Sequence, residues 1–193
     1  MRRSKEEKQR THKRIVEEAA RQFRAKGINE VGIAELMGRV GLTHGGFYAH
    51  FSNKDALTAE VCIEGVAQTQ AELLNVVQQA PAGTEVAAIV DFYLTASHRD
   101  HPARGCVMPT LAAEIARGPA EVRTAFTRGY NEFLERLTPF LPEGTFKEQG
   151  DEALVVLAGM VGAMLLARAI NDSEESERIL RVNREFYTQV FSG

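Results

Sequence analysis

The chain has 193 residues, 44% of them hydrophobic, with no tryptophan, two cysteines and a net charge of -3. That length suits one sizeable core or two small ones, and Cys62 and Cys106, lying in separate segments, imply neither a disulfide framework nor a four-ligand zinc site. Charge is uneven: residues 1–55 carry a net +5 and the remainder -8, the pattern of a polyanion-binding head on an acidic body.

Helical periodicity dominates and no stretch alternates as a strand, so the expected fold class is all-α with about nine helices. The first, over about 4–26, places Ile15, Ala19 and Phe23 on one face. Ser4 and Glu7 are spaced as a capping box, and Gly27 suits the left-handed stop. "IAELMGRV" gives a short second helix ending at Gly41, and Thr43 caps a third that turns Phe47 and Phe51 inward. Ser52 and Asp55 open a long helix reaching about 79, before Pro81. Further amphipathic segments follow at about 84–99, 104–117, 120–141, 146–171 and 174–191, with Thr84, Thr145 and Asp172 as caps and Pro119 in a first turn.

The N-terminus has no apolar stretch that could act as a signal sequence. The longest uncharged run, residues 153–167, has 15 residues, short of the about 20 that a bilayer needs. We read it as a buried helix of a cytoplasmic protein with no membrane partner.

Two short helices joined by a tight turn and crossed by a third make a helix-turn-helix, whose second helix enters the major groove. In "THGGFYAHFSNK" Gly45 and Gly46 each cost about 1 kcal/mol relative to Ala in a helix. Lacking side chains, they let the first turn approach DNA while its backbone N–H groups face phosphate oxygens. Tyr48, His50 and Lys54 fall on the side left exposed once Phe47 and Phe51 are buried, and all three can donate to phosphates. Thr43 and His44 lie at the end that meets base edges, and Arg2, Arg3 and Lys5 could follow the backbone or enter a minor groove.

"RIVEEAARQFRAKGINEVGIAELMGRVGLTHGGFYAHFSNKDAL", residues 14–57, closely resembles the DNA-binding domain of the TetR family of bacterial repressors. The resemblance implies that Thr43, His44, Gly45 and Gly46 read bases and that Tyr48, His50 and Lys54 contact phosphate. It also implies a helix-turn-helix domain over 1–52, with 53–193 regulatory, dimerising and ligand-binding. Two positions depart from the family pattern: Gly32 replaces the usual Thr or Ser, which removes a hydroxyl cap or phosphate contact of ~1 kcal/mol, and His44 replaces the usual Lys or Arg.

Such regulators bind palindromic double-stranded operator DNA as homodimers and are released by a small-molecule inducer. Apart from the resemblance, segments 146–171 and 174–191 offer more apolar surface than one small core needs. Ala158, Gly159, Gly162 and Ala163 allow close helix approach there, and Ile179, Val182, Phe186 and Val190 line one face. Phe92, Tyr93, Cys106, Phe126, Tyr130, Met160 and Met164 are pocket candidates.

"HRDHPARGCVMPTLAAEIARGPAEVR", residues 98–123, resembles the regulatory segment of a TetR subgroup that includes regulators responding to electrophiles through cysteine. Cys106 near a helix N-terminus, with Arg104 and His101 close in sequence, is expected to have a lowered pKa; its alternative is a buried packing residue. His98, Asp100, His101 and Cys106 could be read as a metal site, with His98 and His101 at i, i+3, but the spacing does not make a complete ligand set evident, so neither metal nor cofactor is expected. An all-α enzyme finds no Ser-His-Asp order, phosphate-cradling glycine loop or His-Glu-x-x-His signature. The other alternative is an architectural DNA binder with no ligand.

Overall fold

The computed structural model describes residues 5–142, 146, 148 and 150–191. Nine α-helices and no strand occur among them: α1 Lys5–Lys26, α2 Ile33–Arg39, α3 Lys54–Gln79, α4 Glu85–Tyr93, α5 Ala96–Asp100, α6 Met108–Ile115, α7 Ala120–Leu137, α8 Asp151–Ala169 and α9 Ser173–Phe191. The capping candidates Ser4 and Thr145 lie outside the described residues.

Helix α1 buries Ile15, Val16, Ala19, Ala20 and Phe23, the stripe its 3.6-residue period predicts. Gly27 ends it with φ 92°, and the Gly27 amide donates to the Phe23 carbonyl at 2.7 Å. Helix α2 starts at Gly32 with no side-chain cap, so the missing hydroxyl leaves its first turn without that bond. The third helix of the head is a 3-10 helix, His44–Ala49, rather than an α-helix. Thr43 accepts from the Gly46 amide at 3.3 Å, and two glycines in its first turn give the α form little propensity to hold.

Elsewhere local side chains moved the expected boundaries. Asn53 rather than Ser52 caps α3, its Oδ1 accepting from the Ala56 amide at 2.7 Å. The continuous helix expected over 84–99 breaks after Tyr93, because fully buried Leu94 turns into the core and Thr95 caps a new helix by accepting from the His98 amide at 3.0 Å. The helix expected from 104 begins only at Met108. Pro102–Arg104 forms a 3-10 turn instead, and Gly105 is extended where a Cβ would overlap the His98 ring. Asp172 caps α9, its Oδ1 accepting from the Glu175 amide at 2.9 Å.

Helix α3 is the central member, packed on α1 near its start and on α4 and α7 further along. Helices α8 and α9 pair, with Tyr187 laid over Gly159 in a space that a Cβ would fill. Helix α8 has a mean hydropathy of 1.8 and is long and apolar enough to cross a membrane by those criteria; Val156, Leu157, Met160 and Met164 are instead buried within the fold.

Replacing Gly27 by Ala forces an L side chain into the left-handed region and sets its Cβ 2.8 Å from a Glu114 carboxylate oxygen. Urea unfolding of Gly27→Ala should show a loss of at least about 1–2 kcal/mol.

Candidate functional site

The turn between α2 and the 3-10 helix displays a compact polar surface. Phe47 and Phe51 are buried, which fixes the segment on the head's core, and Thr43, His44 and Gly45 are exposed. Tyr48 is 58% exposed and meets His44 edge-on with ring centroids 5.8 Å apart. Neither Gly45 nor Gly46 has positive φ. A Cβ on Gly45 would meet nothing within 4 Å, and one on Gly46 would make only ordinary contacts with Thr43 and Met37. The chain's own packing therefore gives no reason for Gly45, whereas a surface approached closely by another molecule does.

His50 and Lys54 are less exposed than expected. His50 is half-buried beside the His12 ring, 5.7 Å between centroids. The Lys54 ammonium lies 5.8 Å from the centre of the Phe23 ring, and burial pushes its pKa down against the attraction of Glu114, Asp55 and Glu30. Arg3 lies outside the described residues.

A cavity of about 240 Å³ opens between α3, the end of α4 and the segment leading into α6. Of the pocket candidates, Phe92, Tyr93 and Cys106 line it. Met160 and Met164 are instead fully buried core, and Phe126 and Tyr130 pack against that core from α7. Sequence periodicity marks all six aromatic and methionine positions as inward-facing but cannot tell a wall from a filling. Thr69, Glu72, His98 and Arg104, which also line the cavity, were missed as pocket residues because polar side chains on separate elements carry no periodic signal.

His98 organises the floor. Its Nδ1 lies 2.7 Å from the Tyr93 carbonyl and its Nε2 accepts the Cys106 amide at 3.0 Å. Since a carbonyl can only accept and an amide N–H only donate, the ring is neutral with its proton on Nδ1. Arg168 of α8 donates to the His98 and Arg99 carbonyls at 2.6 and 3.1 Å, closing the cluster from behind. The possible metal set is dispersed: both His98 nitrogens are taken by backbone, and Asp100 pairs with Arg99 at 2.7 Å. Among the described residues no group of three or more His, Cys, Asp or Glu side chains could hold a metal ion.

The expected activation of Cys106 is not found. The thiol is 2% exposed, and burial raises its pKa, outweighing the opposing effects of the Tyr93 hydroxyl, the Met108 amide, Thr69 and Arg168. The Arg104 and His101 side chains are both exposed to water. Desolvation likewise raises Tyr93 and lowers His98, the latter assisted by Arg168 and opposed by the Tyr93 carbonyl. All three floor groups are thus held in their uncharged forms.

For His98 the sign follows directly. Its folded pKa lies below the unfolded value near 6.5, so between the two the unfolded chain binds a proton that the folded chain refuses. Stability contributed by this site is complete above about pH 7 and falls as pH drops through 6.5. Urea unfolding at pH 7 and pH 5.5 should show this decrease in the parent, and a smaller one in His98→Phe.

Comparison with known proteins agrees with this architecture. Residues 15–61 match the family described as bacterial regulatory proteins, tetR family, and residues 82–182 match the tetracyclin repressor-like C-terminal domain. The HTH-type transcriptional regulator TtgR of Pseudomonas putida is 40% identical over 57 residues, 30% of this chain, and the matched segment spans 27% of that regulator. A TetR-family regulator from Cytophaga hutchinsonii superposes with a TM-score of 0.79 at 19% identity, covering 100% of both chains. The reduced form of E. coli NemR does so at 0.74 and 19%, covering 94% of this chain and 97% of its own. These likenesses show the fold, and the C-terminal match alone extends over more than half of the sequence. The chain belongs to the TetR family of bacterial regulatory proteins, a family of transcription regulators rather than enzymes.

Proposed function

We propose that this chain is a cytoplasmic transcription repressor that holds palindromic operator DNA as a homodimer and releases it when a small molecule fills the cavity. The observation that carries the DNA-binding half is the exposed first turn of the 3-10 helix, where Gly45 and Gly46 carry no side chain and Gly45 has open space around it. In this reading residues 1–52 form the reading head and 53–193 the regulatory body. Thr43, His44, Gly45 and Gly46 face base edges, Tyr48, His50 and Lys54 contact phosphate, and Arg3 follows the backbone or enters a minor groove.

The dimer is supported by the outer faces of α8 and α9. Leu154, Leu165 and Leu166 on α8, Ile170 directly after it, and Val182, Phe186 and Val190 on α9 are each at least 40% exposed. At Gly162, between them, a Cβ would meet nothing within 4 Å. An apolar face shared by two paired helices is costly in water and self-complementary under a two-fold axis. Such a four-helix interface would set the reading heads about 34–36 Å apart, one DNA turn.

The cavity narrows the inducer. A volume near 240 Å³ exceeds the roughly 150 Å³ that takes benzene, so it suits one substituted ring. A floor of neutral groups favours an uncharged ring against Tyr93 and Cys106, with any polar or charged substituent turned toward Glu72 and Arg104 in the wall. To empty most of the operator, the ligand must prefer the released state by about 3 kcal/mol, or roughly 150-fold. A second route, electrophile modification of Cys106, is favoured by that residue lining the same cavity, while its raised pKa makes the resting thiol a slow nucleophile.

The test is a gel-shift at fixed salt against the DNA upstream of the gene, with and without N-ethylmaleimide. Specific binding is expected, and binding with no preference over unrelated DNA would leave an architectural role instead. Loss of binding with the reagent, abolished in Cys106→Ser, would establish the covalent route; indifference would leave the non-covalent one. Gly45→Ala should keep or raise the melting temperature yet weaken specific binding about tenfold or more. Leu166→Glu combined with Phe186→Glu should sediment as a monomer and lose high-affinity binding.

A further inference from the structure

Helix α6 follows directly on the cavity wall, which Gly105 and Cys106 line just ahead of it, and meets the reading head at its other end. At its leading end the Cys106 amide is fastened to His98, and the Thr110 hydroxyl donates to the Cys106 carbonyl at 3.1 Å. At its far end, about 12 Å away along eight residues, Glu114 reaches into the turn between α1 and α2. Its carboxylate accepts from the Ile28 amide at 3.0 and 3.2 Å and from the Asn29 amide at 3.2 Å. Gly27 leaves room for it: a Cβ there would press on the carboxylate.

We infer that Glu114 is the positioning residue of the reading head, and that displacement of the cavity floor reaches the α1–α2 turn through its carboxylate. This rests on the reading of the head as DNA-binding and of the cavity as the effector site. Three observations carry it. Ile28 and Asn29 follow α1 and precede α2, so their amides belong to neither helical ladder. A carboxylate accepting two backbone amides is a charge-assisted contact, stronger than a neutral pair. The segment ahead of α6 is also tied to α1, since Arg24 donates to the Ala103 carbonyl at 3.1 Å. The cavity edge, α6 and the head therefore form a closed mechanical loop. Lys54, whose charge Glu114 attracts, places a further cation of the reading segment in the same field.

Hydrogen exchange of the Ile28 and Asn29 amides, followed by NMR on the full-length protein without DNA, tests this. Glu114→Ala should speed exchange at both amides about tenfold or more, with the amides inside α1 unchanged. Glu114→Gln, keeping one acceptor oxygen, should restore part of the protection. Gly105→Ala, which pushes His98 at the cavity floor, should speed the same two amides when Glu114 is present and add nothing in Glu114→Ala. Should Gly105→Ala not fold, His98→Phe, which removes the acceptor of the Cys106 amide, serves in its place. Operator affinity of Glu114→Ala should fall about fivefold to tenfold with the dimer intact. Unchanged exchange in Glu114→Ala overturns the inference, as does an effect of Gly105→Ala that persists without Glu114. If the parent shows no sequence-specific DNA binding, the proposed function fails while the exchange measurements still decide the role of Glu114.

Discussion

The burial of one apolar stripe along α3 is the constraint on which the rest of the molecule depends. Over 26 residues, about 39 Å, Leu57 and Val61 face the core of the reading head, and Val66, Leu73 and Val77 continue into the body. Each such side chain contributes about 1.5–3 kcal/mol when fully removed from water. The polar residues that share the buried face are satisfied in place: Thr58 and Thr69 donate to carbonyls one turn back, and Gln70 donates to the Glu132 carbonyl on α7 at 2.9 Å. A head and a body that share one helix cannot be positioned independently, so contacts made far from the reading surface bear on it.

Close approach to that helix depends on two glycines. Gly65 gives space to Val107, just ahead of α6, and Gly129 of α7 lies against Val66. These contacts bring the segment ahead of α6, and α7, onto α3 and leave the cavity as the gap where packing stops. Its floor is polar but uncharged, because each titratable group there is desolvated more strongly than it is stabilised by its neighbours. Arg168 and Arg24 approach from outside, where backbone carbonyls rather than carboxylates receive them.

The same competition explains why a residue type alone misleads about reactivity. Cys106 precedes a helix and has basic neighbours in sequence, both of which favour a thiolate in water. In the fold the thiol sits beneath His98 and Tyr93, and the loss of solvent exceeds what the amide of Met108 and the charge of Arg168 return. Sequence proximity to Arg104 and His101 did not become proximity in charge, since both side chains stay exposed to water.

Much was legible in the sequence because it is local physics. Helical period gave the buried face of α1, Gly27 and Asp172 marked ends, and the spacing of Phe47 and Phe51 after Gly45 and Gly46 showed which side of that segment packs inward, whereas α9 buries Leu180, Tyr187 and Phe191 rather than the face of Val182, Phe186 and Val190 that the periodicity singled out. The break at Leu94 and the late start of α6 were not legible, since they depend on the burial of Leu94 and on His98 against Gly105, and the 3-10 form of the third head helix is a fine balance between two short-range hydrogen-bond patterns that periodicity does not separate. The sequence by itself determined the helical class, the charge division along the chain, and the inward stripe of α1 with Phe47 and Phe51, because those follow from periodicity and composition. Only the tertiary structure decided which inward residues border a cavity, that Cys106 is kept neutral, and that Glu114 meets the turn 86 residues earlier, because these depend on what long-range packing leaves empty, dry or within hydrogen-bonding reach.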